Sequence, residues 1–352
     1  MKLPRENNLA VAVIGAGWVT LHRHIPSILR NPNVCLIGVV DRYGTRARHA
    51  SKEHGLPHWS DASDLSQVDW LNRVDAVTIG TSPFTHHELA VQALRLGKHV
   101  LTEKPLAMSI AEGEDMAQHA QKASRMLAVV HNFQFARCMR QLVEDIQKGV
   151  LGRLNGIEAV QLSNPKRRLP VWYEKLPGGL FYDESPHLLY LVRLLGGGIP
   201  TLLSAFAQRD RGASTPSQLT AHYRSPSLGI PIRLSVNFLA PVSEWHLLVS
   251  GDKGLGCVDI FRDIYMRIPN DGLHVTTTVL RTSLAATMGH WVGYVVPGTQ
   301  HLLGRSLYGN LEVIKRFVQA CRSSVFPVGI SSRDGLEVLK MQHDLLDSCH
   351  LR

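Results

Sequence analysis

LAVAVIGAGWVT, residues 9–20, runs an apolar strand pattern without a polar break into two glycines spaced one residue apart. An uninterrupted apolar run such as Leu9 to Ile14 suits a central parallel strand covered on both faces. Gly15 permits the tight turn that follows, and Gly17 lets the backbone of an opening helix approach a pyrophosphate at its N-terminus. Thr20 takes the place of the third glycine of the usual fingerprint. A glycine-rich turn after a strand is common in itself, so the weight lies in its context. Asp41 closes a second apolar run, Val34 to Val40, where a carboxylate would accept hydrogen bonds from the hydroxyls of an adenosine ribose. Such a carboxylate repels a 2′-phosphate and favours NAD, whereas Arg42 beside it could stack on adenine or reach the extra phosphate of NADP.

The same alternation continues outward. Ala76 to Gly80, His99 to Thr102 and Met126 to Val130 read as further buried strands, with helical stretches at His87 to Leu96 and Ile110 to Ser124. Strands alternating with helices predict a parallel sheet wrapped on both faces, a Rossmann-type α/β domain for NAD(P) over residues 1–130. After His131 the pattern changes. A helix near Met139 to Lys148 precedes strands of period two. In Ile232 to Leu239 the apolar Ile232, Leu234, Val236 and Phe238 alternate with Arg233, Ser235 and Asn237. Leu154 to Ser163, Leu202 to Arg209, Leu219 to Arg224, Trp245 to Ser250 and Gly256 to Phe261 are read alike, and helices near Asn310 to Cys321 and Arg333 to Leu346 follow. Residues 131–352 are therefore expected to form an α+β domain on a large, mostly antiparallel open sheet, serving substrate binding and oligomerisation. The mixed, glycine-containing segment Thr282 to Ser306 yields no assignment.

The 352 residues, 44% of them hydrophobic, suffice for two globular cores. No apolar run is long enough to span a bilayer, and Met1 to Asn8 lacks the features of a secretory leader, so a cytoplasmic location is expected. The five cysteines, Cys35, Cys138, Cys257, Cys321 and Cys349, are scattered and show neither a metal-binding spacing nor a disulfide framework; no metal is expected. The net charge of +9 is dispersed, with Lys166, Arg167 and Arg168 the one triplet. That distribution points away from nucleic acid and towards a milder preference for anionic ligands.

Four separated segments resemble the Gfo/Idh/MocA oxidoreductases: VAVIGAGWVT (11–20), TSPFTHHELAVQALRLGKHVLTEKPLA (81–107), GGLFYDESPHLLYL (178–191) and LLVSGDKGLGCVDI (247–260). The Glu103, Lys104, Pro105 triplet is the most specific element, followed by Asp183 and His187 behind a glycine pair. Both the Thr81 to His87 stretch and the triplet follow parallel strands, whose C-terminal ends face the ligand crevice in such sheets. Pro105 restricts the backbone of Lys104. Asp183 and His187, four apart, share a helical face.

The resemblance implies reversible oxidation of a secondary alcohol of a sugar, cyclitol or sugar derivative, with His187 as general acid/base and Lys104 and Asp183 beside it. It implies a cofactor held by Gly15, Gly17, Trp18, Val19, Asp41, Arg42, Thr81, Pro83, His87, Glu103 and Lys104. Trp172 and Tyr190 are candidates for substrate contact, and a homodimer or homotetramer is the expected assembly. Other activities of such a fold are imine or enone reduction, or a catalytically silent dinucleotide sensor that binds a protein partner. Tyr190 stands where sugar-oxidising members often carry Asp, Phe84 where Asn is usual, and Ser185 where glycine is frequent. These departures bear on the substrate more than on the chemistry.

Overall fold

A computed structural model describes residues 8–303 and 306–351. Residues 1–7 of the Met1 to Asn8 stretch, expected not to be a secretory leader, lie outside them, as do residues 304 and 305 of the Thr282 to Ser306 segment. By packing, the chain divides into two compact units. The first takes residues up to Asn132 together with Asn310–Lys340, and the second takes Phe133–Gly309 together with the residues from Met341 onward.

The first unit is built on β1 (Leu9–Ile14), β2 (Val34–Val40), β3 (His58–Ser60), β4 (Ala76–Ile79), β5 (His99–Thr102) and β6 (Leu127–Val129). All pair in parallel, in the order β3-β2-β1-β4-β5-β6. That is the doubly wound order, whose direction reverses between β1 and β4 and opens a ligand crevice there. β4 is buried at every position, as a strand covered on both faces must be. β3 was not foreseen, since three residues with a histidine and a serine make no apolar run. The helical elements are a π-helical turn at Thr20–His24 leading into α1 (Ile25–Leu29), then α2 (Gly44–His54), α3 (His86–Arg95) and α4 (Ile110–Ala123). Ser109 starts α4 by accepting the Glu112 N–H at 3.1 Å, while the Glu112 carboxylate accepts the Met108 N–H at 2.8 Å.

The second unit carries β7 (Leu154–Leu162), β8 (Thr201–Gln208), β9 (Gln218–Arg224), β10 (Pro231–Asn237), β11 (Glu244–Gly251), β12 (Gly254–Asp259) and β13 (Ile264–Pro269). Their order is β13-β12-β11-β7-β10-β9-β8, and every pairing is antiparallel except β7 with β10. β9 alternates exposed and buried positions along its whole length, the signature of a sheet with one covered face. Three helices of this unit are α5 (Arg137–Gln147), α6 (Leu180–Leu195) and α7 (Thr276–Leu302). α7 occupies the segment that gave no assignment: it lacks a polar face, so no amphipathic period marked it. β13 was likewise unforeseen. No helix among the described residues is long and apolar enough to cross a membrane.

Two helices close the chain, α8 (Asn310–Ser323) and α9 (Ser332–Ser348). A division of the sequence at residue 130 assigns both to the second domain, yet residues 310–340 group with the first unit. α8 buries Val313, Ile314 and Phe317, and Arg322 donates to the Asn33 carbonyl at 3.0 Å. Ahead of α9 the chain pairs with β6, where the Val129 N–H donates to the Ile330 carbonyl at 2.8 Å. An amphipathic pattern announces a buried stripe without saying what covers it.

Candidate active site

The glycine turn sits at the reversal of the first sheet. Gly15 has φ +88°, and a Cβ there would fall 2.6 Å from Thr81 Cγ2, so only glycine fits. Its N–H donates to the Val40 carbonyl at 2.7 Å. The third glycine of the fingerprint ordinarily allows close packing of helix on strand. Here Thr20 occupies that place fully buried, and the clearance comes from the facing strand end: a Cβ on Gly80 would lie 2.2 Å from Thr20 Oγ1. No side chain caps the helix that follows Val19, and its first turn holds no acid. Its N–H groups and dipole thus suit an anionic pyrophosphate. Trp18 projects from the turn, stacked on His22 at 4.7 Å and covered by Arg23 at 5.1 Å.

Asp41 does more than await a ribose. Its Oδ2 accepts the Ala16 N–H at 2.7 Å and its Oδ1 the Tyr43 N–H at 2.8 Å, fastening the glycine turn to the end of β2. Each carboxylate oxygen has a further lone pair for a hydroxyl. Arg42 and Arg46 both lie over the Tyr43 ring, 4.9 Å from its centroid.

Beyond β4, Pro83 is buried and Thr85 Oγ1 donates to Thr81 Oγ1 at 2.8 Å. His86, fully buried, has Nδ1 2.8 Å from the Pro105 carbonyl and Nε2 3.3 Å from that of Thr81, so it straps together the loops after β4 and β5. Burial pushes its imidazole below the usual range. His87, which the sequence placed at the cofactor, instead meets Asp115 of α4 at 2.8 Å. Adjacent helical residues are rotated by about 100°, so only one of the two histidines can face the loops. Glu103, also assigned to the cofactor, is a brace. Its Oε1 accepts from His24 Nε2 at 2.9 Å and its Oε2 from the Lys104 N–H at 3.1 Å, while His24 Nδ1 lies 3.2 Å from Thr78 Oγ1. Burial alone would raise the Glu103 carboxyl, but the His24 hydrogen bond and the charges of His24 and Lys104 hold it below its ordinary value. Between Val100 and Ala107, Lys104 alone keeps partial exposure, and its peptide bond to Pro105 is cis. His24 and His86 were missed because nothing in their neighbourhood marks a buried partner 79 or 19 residues away.

In the second unit, every residue of α6 from Leu180 to Val192 is buried except Asp183 and His187. Gly179 (φ +56°) precedes the helix, so Asp183 lies inside its first turn and is not its cap. His187 Nδ1 is 2.9 Å from the Tyr190 hydroxyl, which accepts the Phe133 N–H at 2.9 Å. Phe133 lies against the imidazole, with ring centroids 4.5 Å apart, and Trp245 meets it edge-on at 5.4 Å. Tyr190, read from the sequence as a substrate contact, is buried, and its hydroxyl orients His187. Phe133 and Trp245 had not been singled out for the site. Trp172 is partly buried just ahead of a short helical turn at Tyr173–Lys175. Of the basic triplet, Arg167 pairs with Glu184 of α6, which also accepts from Gln161. Glu244, His246 and Asp259 come close enough together to suggest a cation site, but Arg262 bridges both carboxylates at 2.5 Å.

Comparison with known proteins places this geometry in a family. Residues 9–131 match the model of an oxidoreductase family with an NAD-binding Rossmann fold, and residues 139–255 match the GFO/IDH/MocA C-terminal domain. Myo-inositol 2-dehydrogenase of Thermotoga maritima is 27% identical over 191 residues, 54% of this chain and 55% of the relative. D-glucoside 3-dehydrogenase of Escherichia coli is 30% identical over 189 residues, 51% of this chain and 52% of the relative. The chain thus spans about half the length of these curated relatives. The structure of the WlbA dehydrogenase from Bordetella pertussis, in complex with NADH and UDP-GlcNAcA, superposes with a TM-score of 0.74 at 18% identity, covering 97% of both chains. With both domains matched over about two thirds of its length, this chain belongs to the GFO/IDH/MocA oxidoreductase family, and its first domain is that family's NAD-binding Rossmann fold.

Proposed function

We propose that the chain is an NAD-dependent dehydrogenase exchanging a hydride and a proton with a secondary alcohol, or its ketone, on a sugar, cyclitol or sugar derivative. The observation that carries this reading is the selective exposure on α6: an otherwise buried helix leaves open an acid and an imidazole one turn apart. The activities that the two relatives are named for, on myo-inositol and on a D-glucoside, support the substrate class.

When bound, the dinucleotide supplies the hydride acceptor or donor. Gly15, Gly17, Trp18 and Val19 would hold its pyrophosphate end, Asp41 and Arg42 its ribose, and Thr81, Pro83 and Lys104 the side nearer the nicotinamide. Glu103 and His86 would act by positioning those loops. His187 takes the hydroxyl proton in oxidation and returns it in reduction. Because Tyr190 engages Nδ1, the exchange falls to Nε2. The Phe133 and Trp245 rings fix the plane of the imidazole and limit water around it. Asp183 holds a neighbouring hydroxyl, and the Lys104 ammonium steadies negative charge on the reacting oxygen.

The second domain would bind substrate and form a homo-oligomer in the cytoplasm through the outward face of its sheet, where Leu203 and Phe206 of β8 are exposed. A panel of sugars, cyclitols and nucleotide sugars, followed by NADH absorbance, tests the activity. His187→Ala should lower turnover by about a hundredfold to ten-thousandfold, with NADH affinity unchanged. Near-normal turnover of that variant removes His187 from the chemistry. NADH binding without turnover of any member of the panel favours a sensor.

A further inference from the structure

α7 is apolar on two opposite sides. One side is a stripe of small residues, Thr282, Ala285, Ala286, Gly289 and Gly293, and it seats on β13. A Cβ at Gly293 would lie 2.9 Å from Ile264, and one at Gly289 would lie 3.6 Å from Met266. On the far side Leu280, Leu284, Met288, Trp291 and Val295 are each between 56% and 65% exposed. Single exposed apolar residues are ordinary, but a continuous ridge of five on one helix marks a contact surface. α7 contains no Asp, Glu or Lys.

The ridge is symmetric about its own centre. Reversal about the point between Thr287 and Met288 exchanges Leu280 with Val295 and Leu284 with Trp291, and sets Met288 against Thr287. An antiparallel copy of the helix therefore opposes apolar to apolar on both sides of a central Met288–Thr287 contact, as an isologous two-fold interface demands. The same operation brings Arg281 opposite Tyr294 of the second copy, a cation–π pairing. With Val292 and Tyr294, the exposed side chains offer roughly 700 Å² per copy, close to the ~800 Å² a standard interface buries on each partner. A lipid surface fits less well, since helices that lie on membranes carry several Lys or Arg and α7 has one Arg.

We propose that α7 pairs antiparallel with α7 of a second copy about a two-fold axis, an interface distinct from the outward sheet face. Thiol cross-linking tests the geometry. Met288→Cys places two thiols beside the axis, whereas Leu280→Cys places them about 22 Å apart along the paired helices, at 1.5 Å per residue. With wild-type protein as control for the native cysteines, mild oxidation or a short bis-maleimide should link Met288→Cys into dimers and leave Leu280→Cys unlinked. Equal linking of both variants, or of neither, overturns the pairing. Leu284→Glu with Trp291→Glu, both at exposed positions, should halve the mass measured by sedimentation while NADH binding persists. An unchanged mass in a variant that still binds NADH overturns the proposal, as does capture of the wild type, but not this variant, by phosphatidylserine-containing vesicles.

Discussion

Gly80→Ala isolates the contact on which the modified fingerprint depends. The backbone of Gly80 lies outside the positive-φ region, so alanine meets no conformational obstacle there; the obstacle is Thr20. The new methyl would sit 2.2 Å from Thr20 Oγ1 and 3.4 Å from Val19 Cγ1, against ordinary contacts beyond 3.4 Å. Thr20 is β-branched and fully buried, so it has little room to turn its hydroxyl away, and the helix start must shift. Overpacking of this kind costs about 1–3 kcal/mol, and the loss of chain freedom from glycine returns about 0.4–1 kcal/mol, leaving a net loss of roughly 1 kcal/mol. Thr20→Ala alone should be close to neutral or stabilising, because the Thr20 hydroxyl is buried without a hydrogen-bond partner. In the double variant the nearest contact at position 20 relaxes to the 3.5 Å between the two Cβ positions, and stability should return to the parental level. Because two units violate a single two-state transition, the readout should report on the first alone: the fraction competent to bind NADH as urea is raised. A coupling of about 1 kcal/mol between the two sites is expected from residues in direct contact. If the double variant is as unstable as Gly80→Ala, Thr20 is not what glycine makes room for.

Glu103→Gln should cost about 3 kcal/mol by breaking a buried pair, and should weaken NADH binding through the displaced loop. Since the folded Glu103 carboxyl is held below its ordinary value, its contribution is present above the unfolded pKa near ~4.3 and lost as pH falls further. The gap between wild type and variant in urea midpoints should therefore narrow in acid. His86 and His99 are both pushed down by burial, so the unfolded chain takes up protons below about pH 6.5 that the folded one refuses. Stability should decline from pH 7 to pH 5, and His86→Asn should flatten that limb of the denaturation profile. Arg167→Ala should destabilise by about 3 kcal/mol, because the buried Glu184 carboxylate loses its guanidinium partner, whereas Lys166→Ala on the exposed loop should leave the urea midpoint unchanged.

What the sequence determined by itself was local and periodic. The apolar run Leu9 to Ile14, the glycines at its end and the alternation in Ile232 to Leu239 each declare their element through the spacing of neighbours, because burial on one face or two is written in that spacing. Motif identity likewise singled out Lys104, Asp183 and His187, and the structure leaves these three partly exposed in otherwise buried stretches. What only the tertiary structure decided depends on residues distant along the chain. Which of two adjacent histidines faces the loops is fixed by helix phase against Pro105, and the partner of Glu103 lies 79 residues earlier. Asp41 became a clamp because the folded sheet sets the Ala16 N–H against its carboxylate. Tyr190 became a support for His187 because the Phe133 backbone claims its hydroxyl from the other side. α7 was illegible because a helix covered by protein on one side and left apolar on the other has no polar face to give it a period. Residues 310–340 returned to the first unit because an amphipathic stripe specifies that something must cover it, and only the folded chain specifies what does.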